Sequence, residues 1–220
     1  AHDGSGNRPG VMVRIAVVAV ALSVTVMILA LAVIMGFKRE ITDRVTGFSA
    51  QVEVADLRSA GSIESVPVLR SEQLERTIRS AGEVVRLTPY AVKGGVVKTP
   101  DAILGVMLKG VDGGYEWSFF RDHLLEGELP RVGDSIRTKE ILISRSVARE
   151  MGLVPGDKVE MLFVESEKSP RRDRFKVSGI YATGMDEFDR SVAMTDLRNV
   201  QRLADWSSEE VSGYEVTLAD

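Results

Sequence analysis

The densest set of acidic side chains lies in MDEFDR, where Asp186, Glu187 and Asp189 crowd together. Neighbouring carboxylates can hold a divalent cation. A calcium loop, however, also needs a glycine-set turn and spaced oxygen ligands around it. MDEFDR has no such frame and reads as a solvated hairpin tip. The two histidines are His2, near the start, and His123, in an aromatic turn. A lone histidine in such places is a surface or satisfied core residue rather than a ligand. KGVDGG lacks the strand-to-helix context of a phosphate cradle. With no cysteine in the chain, a disulfide, a thiol nucleophile and a cysteine-held metal are excluded. No Ser/His/Asp set carries a recognisable local motif. The residues thus predict no catalytic site, no metal site and no cofactor within this chain.

The elements around these residues point elsewhere. From Ile15 to Phe37 no residue is charged. As a helix this run is roughly 34 Å long at 1.5 Å per residue, enough to cross a hydrocarbon core of about 30 Å. It is apolar on every face, which a helix buried in a soluble domain seldom is. Its only hydroxyls, Ser23 and Thr25, can bond back to the helix backbone. A cleaved signal peptide has a shorter apolar region that ends in small residues. This run ends in IMGFKRE, so it reads as an uncleaved anchor. Arg8 and Arg14 before it balance Lys38 and Arg39 after it, and charge leaves the orientation open.

Past the run, Phe37, Ile41, Val45 and Phe48 recur at helical spacing. The membrane helix is expected to continue as a stiff rod to about Gly47–Ser49. Residues 1–37 carry Arg8, Arg14 and Asp3, net +1, which leaves the rest at −5 of the chain's −4. Mild acidity argues against a nucleic-acid surface. The mixed composition of residues 50–220 reads as one sizeable domain or two small ones.

Along that part, strands and helices alternate. AQVEVADL is a strand with Val52 and Val54 on one face. SEQLERTIRSAG is a helix with Ser71 as its N-cap and Gly82 just past its end. EVVRLTPYAVKGGVVKT and AILGVMLKGVD are strands, with Gly94–Gly95 as a turn or bulge. YEWSFFRDHLLEGELP is a short aromatic helix whose Trp117 and Phe120 belong to a core. EILISRSVAREMGLVPGDKVEMLFVE is a strand, a helix capped by Ser144 and Gly152, a Pro155–Gly156 turn and a strand. The helix buries Val147, Ala148 and Met151; the second strand turns Val159, Met161 and Phe163 inward. RFKVSGIYATG is that strand's partner. In RSVAMTDLRNVQRLADW a strand leads to a helix capped by Thr195, with Leu197, Val200 and Leu203 inward. GYEVTLAD is a last strand, cut off as it begins. RSAGSIES and KSPRRD are the expected linkers.

The stretch VRIAVVAVALSVTVMILALAVIMGFKREITDRVTGFSAQVEV resembles the first membrane helix and following segment of the Lol-type lipoprotein-releasing ABC transporter permeases, within the MacB/FtsX-like permease superfamily. Met35-Gly36-Phe37 stands at that family's NGF-like exit, with Met where Asn is frequent. EILISRSVAREMGLVPGDKVEML and VSGIYATGMDEFDRSVAMTDLRNVQRL resemble its later strand and helix units. The likeness runs through nearly all of residues 11–220.

The resemblance implies an α+β architecture: one N-terminal transmembrane helix extended above the membrane, then a mixed α/β periplasmic domain with two subdomains. Residues 1–14 are then a cytoplasmic segment, 15–37 the transmembrane helix, 38–49 its helical extension, and 50–220 the periplasmic domain, truncated at its C-terminal side. It places the chain in the bacterial inner membrane as an N-terminal fragment of a permease. Such a subunit is not itself an enzyme; ATP and Mg belong to a separate cytoplasmic ABC ATPase dimer. The other implied partners are a second permease subunit, identical or homologous, a lipoprotein cargo, a periplasmic carrier protein and membrane lipid. Met27, Leu31, Val33, Ile34, Met35 and Phe37 are the lipid-facing or substrate-path residues, and Ile41, Val45 and Phe48 the coupling rod. In the subunit of this family that grips the carrier, a hairpin hook with apolar residues protrudes. The matching segment here, ESEKSPRRDR, is short, polar and basic, with Pro170 at its tip and Arg171 and Arg172 beside it as the carrier contact. It resembles the hook-less subunit, or a variant hook that uses charge. A MacB-like efflux permease, an FtsX-like regulator of cell-wall hydrolases, and a single-pass anchored binding or sensor domain stand as alternatives.

Overall fold

The computed structural model describes residues 8–48, 50–59, 65–100, 102–133, 136–165, 168–185 and 189–219. Two compact units divide at Thr46/Gly47. The first is built by α1 (Arg8–Phe48), an unbroken helix of 41 residues. Pro9 sits in its first turn, where a missing N–H leaves no intrahelical bond unmade. From Gly10 to Arg39 every side chain is exposed, and the helix is long and apolar enough to cross a membrane. Thr25 donates to the Ala21 carbonyl at 2.8 Å. A hydroxyl on this surface thereby satisfies itself within the helix. Gly36 does not interrupt α1. The stripe positions Phe37, Ile41, Val45 and Phe48 fall in one continuous helix, while the surroundings of side chains 40–48 lie outside the described residues.

The second unit is α+β. Its strands are β1 (Val52–Ala55), β2 (Val68–Leu69), β3 (Val84–Lys98), β4 (Ile103–Val111), β5 (Leu124–Gly127), β6 (Glu140–Ser144), β7 (Lys158–Glu165), β8 (Lys168–Tyr181), β9 (Val192–Asp196), β10 (Glu210–Val211) and β11 (Gly213–Leu218). Among the described residues four helices join them: α2 (Glu72–Arg79), α3 (Ser118–Asp122), α4 (Arg145–Met151) and α5 (Leu197–Leu203).

Six strands close on themselves in the order β3–β4–β9–β6–β8–β7, and β7 returns to β3 through Leu162, Met161 and Glu160 opposite Val96, Val97 and Lys98. The β4–β9 and β6–β8 ladders are parallel; the rest of the ring is antiparallel. From the first half of β3 the sheet continues outward through β11 to β1. β5 extends it from the end of β8. The side-chain period of two divides the core. Ile141 and Ile143 face one apolar cluster with Val97, Leu108, Met161 and Phe175, joined by the apolar faces of α2, α4 and α5. Leu142, between them, faces a second cluster with Phe120, Tyr181 and Met194, lidded by Tyr115 and Trp117. The two expected pieces therefore share one sheet.

Local chemistry explains most boundaries. Ser144 accepts the Val147 N–H at 3.1 Å and caps α4. Gly152 ends that helix in the left-handed region at φ 65°, and Leu153 folds back to donate to the Ala148 carbonyl at 2.8 Å. Four expectations need correction. Gly94–Gly95 is no turn: both residues lie inside β3, paired with Met107 and Val106. A Cβ on Gly95 would stand 2.6 Å from the buried Phe163 ring, so the glycine admits a ring rather than bending the chain. The cap of α5 is Asp196, not Thr195; its carboxylate accepts the Arg198 N–H at 2.9 Å. KSPRRD is not a linker but the start of β8. In YEWSFFRDHLLEGELP the expected helix or turn is confined to α3, and LLEG forms the strand β5. The last strand, β11, is paired along both edges. Residues 60–64 of the other expected linker lie outside the described residues.

The ring contact at Gly95 gives a direct test. Phe163 is 1% exposed, so its ring is enclosed by the core. Gly95→Ala should lower stability by about 1–3 kcal/mol, the usual range for overpacking. Adding Phe163→Leu should recover part of the loss, measured as thermal unfolding by circular dichroism. An unchanged melting temperature in the single variant would show that the ring moves freely.

Candidate partner-contact hairpin

Among the described residues the side chains singled out for chemistry stand apart from one another; His2 lies outside the described residues. Asp186 and Glu187 lie outside the described residues. Asp189 is not at a solvated tip but 5% exposed. Its carboxylate accepts the N–H groups of Thr183 and Gly184 and the Thr183 hydroxyl at 2.9–3.2 Å. Its carbonyl accepts from the Ser144 hydroxyl. Asp189 therefore braces a loop. Among the described residues no three His, Cys, Asp or Glu side chains group as metal ligands. The His123 Nδ1 lies 2.8 Å from the Phe119 carbonyl and its ring stacks on Phe119 at 4.4 Å, a satisfied structural histidine. In KGVDGG, the Asp112 carboxylate accepts the Gly114 N–H at 2.9 Å and shapes a turn, and burial pushes its carboxyl above the usual range.

The candidate carrier contact falls on the β7–β8 hairpin, which is longer than the sequence suggests. The ladder runs to Glu165 opposite Lys168, so Pro170 is an exposed strand residue and not the tip. The two arginines after it differ. Arg171 donates to the Arg202 carbonyl at 3.1 Å and ion-pairs with Asp205, at the C-terminal end of α5. A cation there meets the negative end of the helix dipole. Arg172 points outward, 74% exposed, with Glu160 3.7 Å away. Arg171 holds the hairpin to the body, whereas Arg172 remains exposed. Of the membrane-run candidates, Met27, Leu31, Ile34, Met35 and Phe37 are all exposed on α1.

Asp173 anchors the root of this hairpin. It is 7% exposed, accepts the Arg174 N–H at 2.9 Å, and binds Lys139 and Arg202. Burial pushes its carboxyl up, but the Lys139 bond, the Arg174 N–H and the Arg202 charge outweigh that and hold it below the usual range. Asp196 follows the same pattern, held down by Arg198 and the Gly133 N–H against its burial. A carboxyl lowered on folding adds stability that is present above its unfolded value and lost as pH falls through the folded one. Stability should therefore decline on acidification below the ordinary carboxylate range. Asp173→Asn should cost about 2 kcal/mol at pH 7. It should also flatten that acid limb in melting curves taken at a series of pH values; an unaltered limb would assign it to other groups.

Sequence reasoning missed a second polar site. Lys109 on β4 and Glu215 on β11 form an ion pair at 2.5 Å, with side chains 8% and 9% exposed. The Lys109 Nζ also lies 5.8 Å from the Tyr90 ring centroid and 5.7 Å from that of Tyr115. Glu53 on β1 stands directly opposite Glu215 and accepts from the Tyr90 hydroxyl. Burial, and then the Glu215 charge, push the Tyr115 phenol up, so it stays neutral. The signal was a lysine and a glutamate inside the apolar strands GVMLKGV and GYEVTL.

Residues 15–220 match the MacB-like periplasmic core domain. The lipoprotein-releasing system transmembrane protein LolC of Xylella fastidiosa (strain Temecula1 / ATCC 700964) is 27% identical over 199 residues, covering 86% of this chain and 45% of that protein. LolC of Neisseria meningitidis serogroup B is 26% identical over 201 residues, with the same shares of each. The periplasmic region of MacB from Actinobacillus actinomycetemcomitans has the same fold, with TM-score 0.50 and 15% identity over 76% of this chain and 72% of that chain. The chain spans about half the length of the curated relatives it matches, at 45%.

Proposed function

Because this chain belongs to the MacB-like periplasmic core domain family, we propose that it is the first membrane helix and periplasmic domain of an ABC transporter permease that extracts lipoproteins from the inner membrane. The observation that carries this is the unbroken order of apolar helix and α+β domain, matched over 86% of the chain by LolC relatives. The reading has α1 spanning the inner membrane with its N-terminus in the cytoplasm. A separate ATPase dimer supplies the drive, and the permease works beside a second permease subunit. ATP and Mg bind on that ATPase.

The task explains the parts. Each acyl CH₂ leaving a bilayer for water costs about 0.8 kcal/mol, so a lipid anchor of several chains faces tens of kcal/mol. Extraction therefore needs an apolar path, an energy source and a periplasmic carrier that shields the chains. Met27, Leu31, Ile34, Met35 and Phe37 on the exposed apolar surface of α1 are suited to line that path. Pro170 and Arg172 on the hairpin are suited to meet the carrier, with Arg171 holding the hairpin in place.

Two measurements test the reading. In intact cells a membrane-impermeant maleimide should label Arg172→Cys and not Arg8→Cys; the reverse pattern would remove it. The full-length permease, reconstituted with its ATPase, should release a labelled lipoprotein only when ATP and a carrier are both present. Export of soluble compounds without lipoprotein release would instead make it an efflux permease.

A further inference from the structure

At the root of the β7–β8 hairpin two adjoining clefts, of about 430 Å³ and 290 Å³, share Arg131, Glu140 and Lys176. The larger sets five cations, Arg131, Lys139, Lys158, Arg174 and Lys176, against the single carboxylate of Glu140. This concentration of positive charge sits in a chain whose net charge is −4. Lys158 stands directly across from Lys176 in the antiparallel β7–β8 ladder. Like charges in that position repel and are destabilising unless something lies between them.

The protein itself supplies little to relieve this. Glu140 faces Lys176 across the β6–β8 ladder, but its two oxygens accept from the Arg131 N–H and guanidinium, each at 2.9 Å. Lys139 is engaged by Asp173, and Arg174 lies 3.9 Å from Glu160. Lys158 and Lys176 are exposed and, among the described residues, their ammonium groups make no hydrogen bond or close ion pair; the charge of Glu140 is felt by Lys176 alone of the two. The cations come from the β5–β6 loop, β7 and β8 and surround a hollow. The lining holds one aromatic ring, Phe175, and is otherwise polar or charged.

We propose that this cleft binds a compact phosphate-bearing anion, with the ammonium groups of Lys158 and Lys176 on either side of it. A small multivalent anion suits converging point charges and an arginine fork. An extended acidic peptide would use a longer track with apolar contacts. The phosphate comes either from a soluble compound or from the phosphodiester of a lipid headgroup. This site adjoins the outward Arg172 surface, since Arg172 and Arg174 both lie beside Glu160, and it does not depend on what the permease transports.

The test uses the full chain in an uncharged detergent. Pyrophosphate and monomeric dihexanoyl phosphatidylglycerol are titrated separately by calorimetry at two salt concentrations. At least one should bind saturably and more weakly at higher salt, as charge pairing requires. Tighter pyrophosphate binding indicates a soluble ligand; tighter phosphatidylglycerol binding indicates a headgroup. Lys158→Gln/Lys176→Gln should weaken the tighter ligand at least about tenfold, as loss of two charge-assisted contacts does. Arg76→Gln, on the exposed face of α2, should leave it unchanged. The double variant relieves a repulsion, so it should melt no lower than the parent, which separates lost binding from lost folding. No saturation by either probe up to ~10 mM, equal binding by the double variant, or tighter binding of a poly-glutamate peptide would overturn the proposal.

Discussion

Lys109→Met should destabilise the periplasmic domain by about 3–5 kcal/mol, the loss that follows when one partner of a buried ion pair is removed. That is a large share of the 5–15 kcal/mol that holds an ordinary domain together. The variant leaves Glu215 charged, buried and directly opposite Glu53 on the neighbouring strand. It also removes the cation from between the Tyr90 and Tyr115 rings. Lys109→Met/Glu215→Leu should recover most of the stability, because two apolar side chains can replace a buried pair at little net cost. Denaturant unfolding at pH 7 measures all three proteins. A loss under about 1 kcal/mol in the single variant would mean that water reaches the pair, as in a surface ion pair.

Two glycines inserted after Glu40 should abolish transport while leaving membrane insertion intact. α1 runs without a break from Arg8 to Phe48, roughly 60 Å at 1.5 Å per residue, against the 20 or so residues a membrane needs. A hydrogen-bonded helix of that length carries tilt and rotation along its axis. Two glycines cost about 2 kcal/mol of helix propensity and add a swivel. They also turn every later residue by about 200°, so Ile41, Val45 and Phe48 would face the opposite way. Under the proposed function, lipoprotein release should fall to background while the partner ATPase still turns over. Undiminished release would make the helix a tether and nothing more.

The parts of the fold visible in the sequence are those governed by local rules. The α4 unit is the clearest: Ser144, Gly152 and Pro155–Gly156 each have one conformational job, and each performs it. The alternation of Val159, Met161 and Phe163 likewise gave their burial. What failed depended on contacts distant in sequence. Gly95 was misread because its reason, the Phe163 ring, lies 68 residues away. The start of β8 looked like a polar loop because its arginines serve Asp205 and Glu160, and not a core. The Lys109–Glu215 pair joins strands separated by 106 residues, and no local pattern announces such a pairing. The α5 cap was misplaced by one residue: Asp196 and Thr195 are both able to cap, and Thr195 instead donates to the Glu140 carbonyl at 2.7 Å.

The place where the chain enters β1 and leaves β11 has a mechanical consequence. The two strands are antiparallel, and Val52 at the start of one lies opposite Val216 near the end of the other. A pull that parts residue 50 from residue 219 does not slide the strands lengthwise, which would strain every bond of the ladder together. It peels them like a zipper, one pair at a time, beginning at Val52. The bond from Tyr90 to Glu53 spans the intervening strand and ties β1 to β3. Tension along this path is therefore met in sequence at the mouth of the seam: first by the Gln51 side chain, which accepts the Leu218 N–H at 2.9 Å, then by the Val52–Val216 pair, and then by the Glu53 carboxylate, through which it passes to β3 and the closed ring.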